Sequence, residues 1–104
     1  MVENQFEVIW NSMAQKHLRA IFEYIQKDSL SNAQKVVNDI LISSEKLNIN
    51  PERHGLDKLK INNDGSYRYF EIYRYRVAFR IYKNHVRILR VRNTYQEPYL
   101  YERL

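Results

Sequence analysis

Between Ser66 and Thr94, apolar or aromatic side chains alternate with arginine almost residue by residue, and a period of two sorts side chains onto two faces only in an extended strand. This tract therefore commits the C-terminal part of the chain to a sheet. In a first strand, Arg68 to Tyr73, Phe70 and Ile72 share one face while Tyr69, Glu71 and Tyr73 share the other. A second strand runs from about Tyr75 to Tyr82, with Val77, Phe79 and Ile81 opposed to Arg76, Ala78, Arg80 and Tyr82. Lys83, Asn84 and His85 make the turn. Val86 to Arg92 return with Ile88 on one face and Leu89 and Val91 on the other, the two-sided apolar pattern of a central strand.

Upstream the period changes. Phe6 to Trp10 is a short run of aromatic and β-branched residues, which predicts a strand. From Ser12 to about Lys27, Ala14, Leu18, Ile21 and Ile25 recur at spacings of four, three and four, the stripe of an amphipathic helix, and Ser12 with Gln15 reads as a capping box. Asp28, Ser29 and Leu30 lead to a second helix, where Ser31 and Gln34 repeat the start signal and Ala33, Val37, Ile40, Leu41 and Leu47 continue the stripe to about Asn48. So short a loop makes the two helices antiparallel. The segment from Asn50 to Ser66, with Pro51, Gly55 and the Asn62-Asn63-Asp64-Gly65 cluster, reads as an irregular link. The expected fold is α+β in the order β-α-α-β-β-β: a helical hairpin packed on one face of a small, mainly antiparallel sheet, with arginine and tyrosine on the other face.

A chain of 104 residues, 44% of them hydrophobic, suffices for one modest core, so 1–104 is expected to be a single domain. It has no cysteine, which removes disulfides and thiolate metal sites and suits a reducing cytoplasm. No run approaches the roughly 18 apolar residues of a membrane span, and the start lacks the basic and apolar regions of an export signal. His17, His54 and His85 have no ligand partners at metal-binding spacing, so neither a metal nor a small-molecule cofactor is expected, and surface roles are their default. The net charge of +5 is uneven: residues 67 to 93 carry eight basic groups against Glu71 alone, a net of +7. Seven of the eight are arginines, whose planar fork grips phosphate or carboxylate, so a polyanionic partner is expected. The bland alternative is a solvated basic face.

The stretch Arg68-Tyr69-Phe70-Glu71-Ile72-Tyr73-Arg74-Tyr75-Arg76-Val77-Ala78-Phe79-Arg80-Ile81, followed by Val86-Arg87-Ile88-Leu89-Arg90-Val91-Arg92 and preceded by a strand and a helical hairpin, resembles the RelE/ParE superfamily of toxins from type II toxin–antitoxin systems of the plasmid stabilisation type. The resemblance spans nearly the whole chain. It implies a growth-arresting toxin held silent by a cognate antitoxin protein with an acidic, amphipathic segment. It also implies one of two activities. RelE-like members cut messenger RNA on the ribosome with lysine, arginine and tyrosine side chains, whereas ParE-like members inhibit DNA gyrase. Carried over position by position, the nuclease set is incomplete. Arg76 matches the arginine that opens the middle strand, but the two lysines of the preceding strand fall on Tyr69 and near Arg68. The late arginine falls near Gln96, and the C-terminal tyrosine matches Tyr99 or Tyr101. The resemblance therefore leans to gyrase-type inhibition, with ribosome-dependent mRNA cleavage and a plain basic nucleic-acid-binding module as alternatives.

The chemistry explains why these departures matter. Cleaving RNA through its 2′-hydroxyl needs a base, cations for the crowded phosphate and a donor for the leaving oxygen. Arg76 and Arg68 would serve the phosphate. Tyr99 or Tyr101 would act as a base only if neighbouring arginines lowered its pKa from the usual value of about 10. Lys58 and Lys60, at i and i+2 ahead of the sheet, would replace the missing lysines if their segment folds back. For substrate contact, Tyr69, Tyr73 and Tyr82 offer faces on which nucleobases could stack, Tyr95 offers a further ring, and Arg80 and Arg92 offer cations. Sheets favour tyrosine on their own account, and for Arg76 the alternative is an ion pair with Glu71 across the hairpin.

Overall fold

The computed structural model describes residues 5–96 and 100–102. Its elements follow the expected order. Strand β1 (Glu7–Trp10) leads into helix α1 (Ser12–Gln26) and helix α2 (Leu30–Glu45), then two 3₁₀ turns (Lys46–Asn48 and Pro51–Arg53), and strands β2 (Tyr67–Ile72), β3 (Tyr75–Ile81) and β4 (His85–Asn93). The strands lie in the order β1-β4-β3-β2, with β1 parallel to β4 and the other pairs antiparallel. The helical hairpin covers one face.

The helix starts differ in detail from the capping boxes expected. Asn11 precedes α1 in an extended conformation without a side-chain cap; its Oδ1 instead accepts from Arg87 Nη1 at 2.9 Å, while Gln15 Nε2 donates to the Trp10 carbonyl at 3.1 Å. At α2 the cap is Ser29, two residues ahead of Ser31, and its Oγ accepts the Asn32 N–H at 3.1 Å. The α1 stripe of Ala14, Leu18, Ile21 and Ile25 packs on the sheet as its spacing predicts. In α2 the buried positions are Ala33, Val36, Ile40 and Ser44, with Leu47 continuing them. Leu41 lies about 100° round the helix from Ile40, and with Val37 it faces a groove between the helices. Ser44 can be buried because its hydroxyl donates to the Ile40 carbonyl at 2.8 Å, so hydropathy alone undervalued it.

Strand β4 holds the sheet together and reaches both of its faces. Phe79 pairs with Ile88 and Ala78 with Arg90, so Leu89 is an extra residue, a bulge that reverses the alternation. Val86 and Ile88, and then Val91 beyond the bulge, pack under the helices around the fully buried Phe79. Leu89 instead packs with Tyr67, Tyr101 and Leu59 on the far face. Strict alternation had put Leu89 and Val91 together; the bulge separates them. The β2–β3 hairpin turns at Tyr73 and Arg74, one residue earlier than expected, with Tyr73 in the left-handed region at φ 56°. That conformation is unusual for a bulky residue. The Tyr73 hydroxyl is anchored to α2, donating to Asp39 and accepting from Lys35 Nζ at 3.0 Å.

Because β1 ends opposite Ile88, the Val91 N–H has no strand partner on that side, and His17 of α1 supplies the acceptor through Nδ1 at 3.1 Å. Burial, and then the charges of Arg90 and Arg92, hold the His17 imidazole below its usual pKa of 6.5. The unfolded chain therefore takes up this proton first as pH falls, and stability declines as pH drops through 6.5. Burial, followed by Arg53, lowers His54 in the same direction. The melting temperature should fall between pH 7 and pH 5, and His17→Gln, whose amide oxygen accepts without titrating, should flatten part of that slope. An unchanged slope in the variant would show that this hydrogen bond is not coupled to pH.

Candidate functional site

The face of the sheet away from the helices carries cross-strand rows of polar groups. In one, Tyr67 pairs with Arg80 and Arg80 with Arg87; in another, Glu71 pairs with Arg76 and Arg76 with Arg92. The link ahead of β2 folds back across part of this face, so it is less open than its composition predicts. Leu56 bridges Arg68, the Asp57 N–H donates to the Tyr67 carbonyl at 2.9 Å, and the Tyr69 N–H donates to the Gly55 carbonyl at 3.2 Å. Asn63 fastens the return: its Nδ2 donates to the carbonyls of Asp57 and Tyr67, and its Oδ1 accepts from the N–H groups of Gly65 and Tyr67.

At the centre of the covered part is Asp57, whose side chain is 0% exposed. Its Oδ1 accepts from Arg76 Nη2 at 2.9 Å and from the Leu59 N–H at 3.0 Å, and its Oδ2 accepts from the Tyr101 hydroxyl at 2.6 Å. The Arg76 guanidinium carbon also lies over the Tyr69 ring, 3.5 Å from its centroid, with Nη1 3.5 Å from Glu71. Tyr101 reaches the knot because its backbone pairs with the link, donating to the Leu59 carbonyl at 2.9 Å and accepting from the Ile61 N–H at 2.7 Å. Around its ring stand Arg90, 4.3 Å from the centroid, and Lys60, which also lies 4.5 Å from the Tyr67 centroid and donates to the Ile61 carbonyl. Burial, then the bond to Asp57, drives the Tyr101 hydroxyl far above the usual phenol range. It is a committed donor, and a base must be able to give its proton up.

The other predicted residues fall in separate places. Arg68 donates to the carbonyls of Glu52, His54 and Gly65 and so pins the link rather than joining Arg76. The segment of Lys58 and Lys60 does fold back, but only Lys60 is buried against the tyrosines; Lys58 is exposed. Tyr73 is held on α2. Tyr95 is 75% exposed beneath Arg74, whose guanidinium carbon is 4.7 Å from the ring centroid. Arg92 lines a cleft of about 170 Å³ with Arg76, Glu71, Leu59 and Gln96. Arg80 lies between the rings of Tyr67 and Tyr82, 4.8 Å from each centroid. Tyr99 lies outside the described residues. Sequence reasoning placed Asn63 in a turn cluster but missed its clamp on Asp57 and Tyr67, and it missed Asp57 altogether, because the partners of Asp57 come from β3 and the tail.

Residues 8–98 match the family described as the ParE toxin of the type II toxin–antitoxin system, parDE. The chain belongs to the ParE toxin family. Among solved structures, a chain of the chromosomal ParDE toxin–antitoxin system from P. aeruginosa is similar to this ParE-family protein with a TM-score of 0.71 and 20% identity, over 88% of this chain and 98% of that one. A chain of the RelBE2 toxin–antitoxin complex from Mycobacterium tuberculosis is similar with a TM-score of 0.61 and 18% identity, over 86% of this chain and 91% of the other. At these identities the likeness is one of fold. Among curated proteins none matches by sequence.

In this ParE-family chain the knot dictates how substitutions at Arg76 behave. Removing one partner of a buried ion pair leaves the other charge uncompensated, a cost of about 3–5 kcal/mol. Arg76→Gln and Asp57→Asn should each lower the unfolding free energy by up to about that amount in urea titrations, whereas the two together, which remove both charges, should cost much less than the sum of the singles. Strict additivity in this cycle would show that the two side chains are not coupled.

Proposed function

We propose that this ParE-family toxin arrests growth without hydrolysing RNA, by inhibiting DNA gyrase, and that a cognate antitoxin silences it in the cytoplasm. The reading is supported above all by the Asp57–Arg76–Tyr101 knot. A nuclease would need Arg76 free to meet a phosphate and a tyrosine able to release its proton. Arg76 is compensated by Asp57 and Glu71, and Tyr101 is held protonated by burial and by the same Asp57. Arg68, the other arginine of the nuclease set, is engaged by three carbonyls. What remains is a folded basic surface suited to gripping a large partner.

Two features suit an antitoxin. The basic tract from 67 to 93 attracts an acidic segment and speeds its capture. The helical hairpin leaves an open groove of about 450 Å³ lined by Trp10, Leu18, Phe22, Val37 and Leu41, which would take the apolar stripe of an amphipathic segment.

Expression without the antitoxin should stop growth, and the purified protein should block supercoiling of relaxed plasmid by gyrase, while primer extension on messenger RNA should find no cuts at the ribosomal A site. A-site cuts with supercoiling intact would replace this reading by ribosome-dependent cleavage. Growth unaffected by expression would leave a basic binding module.

A further inference from the structure

The cationic face has two ends, and they differ in how their charge is met. At the Arg76 end, Asp57 and Glu71 compensate the guanidinium. At the β3–β4 end, Arg80 and Arg87 stand directly opposite each other in the antiparallel register. Like charges so placed repel unless an anion lies between or above them. Among the described residues, the carboxylate within ion-pair distance of this pair is Asp64, 3.9 Å from Arg80, and its own side chain is 64% exposed. Arg87 donates to neutral Asn11, and Arg80 Nε donates to Ser66. Among the described residues, neither Arg87 nor the exposed Lys83 has a carboxylate within ion-pair distance.

The same end carries a stacked pair of rings with an arginine beside it. His85 lies parallel to Tyr82 at 4.4 Å with 7° between the rings, Tyr82 is followed by the Arg80 guanidinium at 4.8 Å, and Arg80 by Tyr67 at 4.8 Å. His85 and Tyr82 are only half-buried and sit at the tip of the β3–β4 hairpin. Cations alone would serve any acidic partner. Cations beside a parallel aromatic stack fit a ligand that alternates negative charge with planar rings.

We propose that the β3–β4 end is a binding site for single-stranded nucleic acid, with a base stacking on the His85–Tyr82 pair and the backbone phosphates meeting Arg87, Arg80 and Lys83. The site is distinct from the Arg76 knot and does not depend on which cellular target the toxin arrests. Glu7, opposite His85 in the β1–β4 register, is the carboxylate that opposes it.

The test is fluorescence anisotropy at low salt with labelled oligothymidine and oligouridine of about 20 nucleotides and a duplex of equal length. Both single strands should bind more tightly than the duplex, and their ratio tells DNA from RNA as the preferred source. Tyr82→Leu with His85→Ala should weaken binding by about five-fold or more, the loss expected for one stacked base. Arg87→Gln should reduce the slope of log affinity against log salt by about 0.7. Glu7→Gln should tighten binding, and Arg74→Gln, at the opposite end of β3, should leave it unchanged; circular dichroism confirms folding of each variant. Equal affinity for duplex, or no loss on removing the stack, would overturn the proposal in favour of a general surface for polyanions. Gyrase inhibition is read separately, so failure here and failure of the toxin mechanism are distinguishable.

Discussion

A carboxylate taken wholly out of water must be met by charge and hydrogen bonds or it destabilises the fold by several kcal/mol. Asp57 is such a group, and its partners come from three parts of the chain: Arg76 from β3, the Tyr101 hydroxyl from the C-terminal tail, and the Leu59 N–H from its own loop. Satisfying it therefore fixes where the link crosses the sheet and where the tail returns. The small apolar cluster of Tyr67, Leu89, Tyr101 and Leu59 forms beside this knot, so the tail packs on the sheet by burial as well as by hydrogen bonds. The arrangement also decides what Arg76 can do. A guanidinium that lies over Tyr69 and answers a buried carboxylate has a structural task, and any loss of toxicity on its removal carries a loss of folding with it.

The bulge at Leu89 is the second device on which this face depends. Without it, β4 would alternate regularly and Leu89 and Val91 would share one side of the sheet. With it, Val91 stays under α1 while Leu89 and Arg90 serve the tail. One strand thus supplies the main core, the second cluster and part of the cationic surface. The shortness of β1 adds a consequence: the open stretch of β4 beyond Ile88 is closed at Val91 by a histidine from α1 rather than by a strand.

How much of this was legible in the sequence follows from the range of the interactions involved. The alternation from Tyr67 to Asn93 and the spacing of Ala14, Leu18, Ile21 and Ile25 are local patterns, and they placed the strands, the first helix and the layer order. Errors arose where a neighbour in space, not in sequence, decided the outcome. Val36 and Ser44 face the sheet instead of Val37 and Leu41, because the hairpin's rotation is set by the sheet beneath it. Tyr73 ends β2 early because α2 offers Asp39 and Lys35 to its hydroxyl. Asp57 looks like any loop carboxylate until β3 and the tail are brought against it. His17 reads as a surface residue until the end of β1 leaves Val91 without a partner.

Formal charge was the least faithful guide. The tract from 67 to 93 counts +7, yet a partner senses only charge that the protein has not already met. Arg76 is met by Asp57 and Glu71, Arg68 keeps its charge but directs its donors to backbone carbonyls, and Arg80 and Arg87 face each other across the strands with the exposed Asp64 3.9 Å from Arg80. Position 76 is where family resemblance had drawn attention, and the β3–β4 end is where two arginines pair across the strands. Arg76 thus holds a loop and a tail in place through a buried carboxylate, whereas Arg80, at the other end of the same sheet, is met by the exposed Asp64.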